Sequence, residues 1–198
     1  SFPTRRSSDL KSNFRIPHTV ENILLEANYL ILHGLNFMCH LSTNLQQLHL
    51  IANDLGKIHP TTKMVAWPLS LNDFVFQNLN IDYRTLELLN LRESRLEKID
   101  IQKGDIKTLN ADLFPASVKD LSLRGMGIQQ LSDSFENLEN LQKLSLAGNE
   151  LRELTSVKLP MATLEFLDVR HCNLRFISPF LVSMIDKKNK KAKLRVEA

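Results

Sequence analysis

The sequence predicts an α/β repeat protein, a solenoid whose short strands stack coil upon coil into one parallel sheet. Two observations lead there: an apolar pattern that recurs at near-constant intervals, and a phenylalanine that follows several recurrences at a near-constant distance. The clearest recurrence, residues 141–154, reads LQKLSLAGNELREL. Its apolar positions are Leu141, Leu144, Leu146, Leu151 and Leu154, and Asn149 stands ninth. Successive side chains of a strand point to opposite faces, so Leu144 and Leu146 point inward together.

In chain order, the first match starts at Val20, with Ile23, Leu25, Asn28 and Leu30. The second starts at Leu45, with Leu48, Leu50, Asn53, Leu55 and Ile58. Later ones start at Val118 (Leu121, Leu123, Ile128, Leu131) and Leu164 (Leu167, Val169, Cys172, Leu174, Ile177). The middle admits two registers, because residues 86–99 and 96–109 both fit and no coil closes in ten residues. Starts at 20, 45, 71, 96, 118, 141 and 164 give steps of 25, 26, 25, 22, 23 and 23. Starts at 64, 86 and 118 give 19, 22 and 32. The even ladder is taken, which makes Phe74, Phe76, Ile99 and Ile101 inward strand residues and puts residues 86–91 on the return leg.

This template is that of the leucine-rich repeat, whose units span about 20–29 residues, and residues 16–180 resemble that family. The resemblance implies a curved arc of about seven coils with the parallel sheet on its concave face. No coil can bury its own apolar face, so the coils share one core. Phe37, Phe114, Phe135 and Phe180, which lie 17, 18, 17 and 16 residues after their repeat starts, fit a spine on the return legs. The ninth position holds Asn28, Asn53, Leu79, Gly104, Met126, Asn149 and Cys172. An asparagine there can satisfy buried backbone groups where the chain leaves the strand, so the three middle coils depart from the pattern.

Residues 1–10, SFPTRRSSDL, resemble a translated sequencing adapter, and residues 1–15 are expected to lie outside the fold. Residues 181–198 read as a basic loop and the start of a further, truncated coil. With 43% hydrophobic and 24% charged residues the chain is neither disordered nor collagen-like, and no apolar run approaches the roughly 18–20 residues of a membrane helix. Residues 187–198 carry a net charge of +5 and residues 1–10 a net +1, which leaves −3 on the rest of a chain of net +3. That body is not a nucleic-acid surface.

Little chemistry is encoded. The six histidines show no metal-ligand spacing, and there is neither a glycine-rich phosphate loop nor a G-x-S-x-G nucleophile motif. The expectation is therefore no enzyme, no cofactor and no metal site. Cys39 and Cys172 belong to the first and seventh coils, six strand spacings of about 4.8 Å apart, too far for a bridge between them. The 22–26-residue steps and the phenylalanine spine resemble the extracellular branch of the family, which includes Toll-like receptor ectodomains and insect secreted immune proteins. That resemblance implies a recognition role outside the cell. The alternative is a cytoplasmic scaffold or regulatory subunit, with which two unpaired thiols and the lack of any Asn-x-Ser/Thr sequon are compatible.

The expected partner is a protein, held by the concave residues that alternate with the core. These are Leu24, His49, Val75, Asp100 and Asp168 in one row, and Ile51, Gln77, Gln102, Arg124 and Arg170 two positions further on. Leu24, Ile51 and Val75 form an apolar end beside a polar one, the pattern of a dry centre with a polar rim.

Overall fold

A computed structural model describes residues 16–26, 35, 36, 39, 44–51, 63–132, 135–154, 157–177, 179 and 193–195. Among the described residues eight strands form one sheet: β1 (Asn22–Glu26), β2 (Gln47–Ile51), β3 (Asp73–Asp82), β4 (Lys98–Asp105), β6 (Asp120–Arg124), β8 (Lys143–Ser145), β10 (Phe166–Asp168) and β12 (Lys193–Arg195). They neighbour one another in chain order, and every pairing is parallel. On the return legs, β5 (Thr108–Asn110) pairs with β7 (Gln130–Ser132), and β9 (Glu153–Leu154) with β11 (Phe176–Ile177). A parallel sheet in chain order, with little helix, is consistent with a leucine-rich-repeat solenoid. It runs one strand beyond the seven starts, at the place where the sequence puts the beginning of a further coil.

The register follows the even ladder. Leu24, His49, Val75, Asp100, Ser122, Ser145, Asp168 and Arg195 lie side by side across the sheet. Their inward neighbours Leu48, Leu50, Phe74, Phe76, Ile99, Ile101, Leu121, Leu123, Leu144 and Leu146 are fully buried. The rival register would place a strand near Leu89. That stretch is instead helix α1 (Tyr83–Leu89), followed by a 3-10 turn at Leu91–Glu93. Asp82 caps the helix by accepting bonds from the Thr85 backbone N–H (2.7 Å) and the Thr85 hydroxyl (2.5 Å). The hydroxyl first, with the backbone N–H, holds the Asp82 carboxyl below its ordinary range. Asn90 ends the helix in the left-handed region at φ 50°.

Return-leg packing completes the core. Phe114 and Phe135 are buried as the spine requires, whereas Phe37 and Phe180 lie outside the described residues. Trp67 packs edge-on against Phe74, with ring centroids 4.8 Å apart, and donates from Nε1 to the Leu89 carbonyl. That single side chain ties the approach to β3 to the end of α1.

The ninth positions explain how the coils are joined. Asn149 is buried, and its carboxamide makes four bonds. Nδ2 donates to the carbonyls of Leu123 and Leu146, each at 2.7 Å, and Oδ1 accepts from the N–H groups of Met126 and Ile128. Cys172 does part of this: its single S–H serves the Leu146 carbonyl at 3.0 Å, with the Arg170 carbonyl further off at 3.5 Å. The middle solves the same problem differently. β3 and β4 resume pairing after a register shift, with Ile81 opposite Gly104 and Asp82 opposite Asp105. Gly104 is required there, because a Cβ would sit 2.6 Å from the Ile81 carbonyl oxygen and 2.8 Å from Met126 Cε. Asn28 and Asn53 lie outside the described residues.

Asn149→Leu should therefore strand two buried N–H groups and the Leu123 carbonyl, while the Leu146 carbonyl keeps the Cys172 thiol. At about 1–3 kcal/mol for each unsatisfied group, and with partial relaxation, a loss of about 3 kcal/mol or more is expected. Urea unfolding monitored by circular dichroism measures it, and a change under about 1 kcal/mol would show that the carboxamide does not join the coils.

Candidate functional site

Side chains that alternate with the core column stand on the outward face of the sheet in three rows. The first runs Gln47, Asp73, Lys98, Asp120, Lys143 and Phe166, the second is the central row of the register, and the third runs Ile51, Gln77, Gln102 and Arg124. Arg170 follows β10 beside the third row.

Opposite charges pair across neighbouring strands. Asp73, whose side chain is only 12% exposed, binds Lys98 at 3.1 Å and faces His49 Nε2 at 3.5 Å. Asp100 binds the Gln102 amide at 2.9 Å and Arg124 at 3.5 Å, and Asp120 lies 3.7 Å from Lys143. Asp168 is buried and held by a two-bonded fork from Arg170, both bonds at 2.9 Å. A fork of this kind fixes the planes of both groups.

Between Asp100 and Asp168 the central row holds Ser122 and Ser145, directly opposite one another. Their hydroxyl oxygens are buried and find no hydrogen-bond partner among the described residues. They floor an open hollow of about 290 Å³ walled by Lys98, Asp120, Arg124, Lys143 and Phe166. Neither serine is among the ten residues singled out by sequence alternation, nor are Asp73, Lys98, Asp120, Lys143 and Phe166. The same period of two that gives the central row would have given the first row one step earlier.

Of the ten, Asp100, Arg124 and Asp168 border this hollow, and Gln102 and Arg170 brace two of its carboxylates. Leu24 is 61% exposed, while His49, Ile51 and Gln77 are half-buried. Val75 corrects the expectation of an open apolar patch, for it is only 7% exposed. Facing outward does not by itself make a side chain accessible.

Among the described residues no group of His, Cys, Asp or Glu is arranged to hold a metal ion, and no helix is long and apolar enough to cross a membrane. Cys39 and Cys172 are free and buried. Burial pushes the Cys39 thiol up to about 12, and burial first, with Asp168 nearby, raises Cys172.

Part of the chain is similar to Toll-like receptor 9 of Mus musculus, with 41% identity over 81 residues. The match covers 38% of this chain and 8% of the receptor, so the chain spans a small fraction of the curated relative that it matches. No protein-family model and no solved structure matches significantly.

The Cys39 thiol must stay protonated in the fold, whereas it ionises near pH 8.5 once unfolded. A folded pKa raised above the unfolded one gives stability that is complete below about pH 8.5 and is lost as pH rises toward about 12. Stability should thus fall between pH 8 and pH 11, and Cys39→Ala should flatten that fall. Urea midpoints of both chains across this range measure it, and superimposable curves would show that Cys39 is not the group responsible.

Proposed function

We propose that this chain is a non-enzymatic recognition part of an extracellular leucine-rich-repeat protein, a receptor ectodomain or secreted immune factor. It binds a protein ligand on the outward, concave face of its sheet. The observation that carries this reading is the sheet itself. Eight parallel strands in chain order hold rows of unlike side chains at fixed spacing on one open face, while the inward rows are spent on the core. Similarity of one stretch to a Toll-like receptor supports the receptor branch. The mixed-charge face, on a body of net −3 outside the two tails, favours protein over nucleic acid.

One observation favours the second reading, a cytoplasmic scaffold: both buried cysteines are free, as a reducing compartment allows. Appearance of the full-length protein in culture medium rather than in the cell lysate separates the two readings.

Contact by this face predicts that Leu24→Asp, Ile51→Asp and Arg124→Glu together remove ligand capture and leave the fold intact. Val75 is kept because it is buried. Mass spectrometry of proteins captured from extracellular fluid, with melting curves as the folding control, reads the result. The same captured set at undiminished yield on a folded triple variant would exclude the face.

A further inference from the structure

The hollow on the outward face carries cationic tips over carboxylate roots. The side chains of Lys98, Arg124 and Lys143 are 49%, 51% and 57% exposed, against 12%, 17% and 37% for Asp73, Asp100 and Asp120, which face them. Asp168, the other acid on its wall, is 6% exposed. Whatever enters from solvent therefore meets ammonium and guanidinium groups before any carboxylate.

Two of those cations have donors to spare. Arg124 reaches Asp100 only through Nη2, at 3.5 Å, and Lys143 stands 3.7 Å from Asp120. Both distances exceed the about 2.7–2.9 Å of a firm charge-assisted bond, and a guanidinium carries five N–H groups and an ammonium three. The deeper carboxylates are in the reverse position. Both oxygens of Asp100 accept from the Gln102 amide, at 3.0 and 2.9 Å, and both of Asp168 accept from Arg170. Exposed pairs this loose hold their cations weakly, so a ligand carboxylate can share Arg124 or Lys143 with the acid already there. A ligand ammonium finds these acids already bonded and lying beneath like charge.

The two cations also serve different rims. Lys143 is opposite Asp120 in the register, and Arg124 lies four residues further along β6, about 13 Å at about 3.3 Å per residue. Such a gap favours a peptide over a nucleic acid. Duplex DNA carries a charge about every 1.7 Å of its axis, a continuous line that would lay phosphates over Asp120 and Asp168 as well as over the cations. A peptide places its carboxylates singly.

We infer that Arg124 and Lys143 anchor an acidic segment of the protein ligand, one whose Asp or Glu side chains reach opposite rims of the hollow. This rests on the reading of the outward face as a protein-binding surface and adds the charge of what it binds.

The test is selection of a displayed random-peptide library on the 198-residue chain at low salt. Enriched peptides are then measured against the chain, Arg124→Gln/Lys143→Gln and Arg124→Glu/Lys143→Glu. Enriched sequences should carry paired acidic residues. Their affinity should fall about tenfold between about 50 and 500 mM salt, and about tenfold in the glutamine variant. The glutamate variant should reject them and bind the same peptides once their acidic residues are changed to lysine. The glutamine variant should melt with the parent, because Gln102 still serves Asp100 and Asp120 is open to solvent. Consensus and salt dependence decide the matter even if that variant unfolds.

Basic or neutral consensus peptides, acidic peptides indifferent to salt or to a folded glutamine variant, or failure to enrich any peptide would each overturn the inference. Tighter binding of a random-sequence DNA duplex to the same two cations would assign them to phosphate and overturn it as well. Protein capture that survives the glutamine variant but not the triple change at Leu24, Ile51 and Arg124 would sink this subsite alone. Acidic peptides held by these cations, with no natural protein captured, would sink the broader reading alone.

Discussion

A strand at the surface of one coil leaves its N–H and C=O groups open on both sides, and its neighbours close them in a register fixed from β1 to β12. Everything else in this chain is conditional on that register. A slip by one residue would turn Phe74, Phe76, Ile99 and Ile101 outward and bring Val75 and Asp100 into the core. The column of fully buried side chains forbids that slip. Outward rows are aligned only because the inward ones are packed. The cross-strand pairs Asp73–Lys98 and Asp120–Lys143 are a by-product of this alignment, and so is the juxtaposition of Ser122 with Ser145.

Backbone groups at the exits of the strands are closed by three different devices. Asn149 uses a carboxamide, Cys172 a thiol, and the middle of the sheet uses further strand pairing around Gly104. The third explains why glycine rather than asparagine stands at position 104. With Ile81 drawn against Gly104, no space is left for a side chain, and Met126 from the next coil occupies what remains. Departure from the repeat there marks a different closure of the same valences.

Much of this was legible in the sequence. Periods of two within strands and of 22–26 between them fix which residues point inward, because burial of a continuous column tolerates no other phase. Helix α1 was not legible as a helix. Leu86, Leu88, Leu89 and Leu91 fit a strand template as well as a return leg, and short apolar runs do not distinguish the two. What selects the helix is local, the Asp82 cap and the left-handed Asn90. Of the outward face, alternation gave the rows but not their depth. Val75 is covered and Leu24 exposed although both occupy the central row, for Leu24 stands on the edge strand β1 and Val75 between β2 and β4. Alternation places the two serines in the central row, but small polar residues on a strand are ordinary until their hydroxyls are seen to lack partners.

Unequal pairing along the sheet is made up outside the strands. Seven residue pairs join β3 to β4, whereas three join each of β6 to β8, β8 to β10 and β10 to β12. Past the strand ends the Gly125 N–H donates to the Ala147 carbonyl, the Leu146 N–H to the Asp168 carbonyl and the Gly148 N–H to the Arg170 carbonyl. The shorter seams are thus sewn by turns as well as by strands.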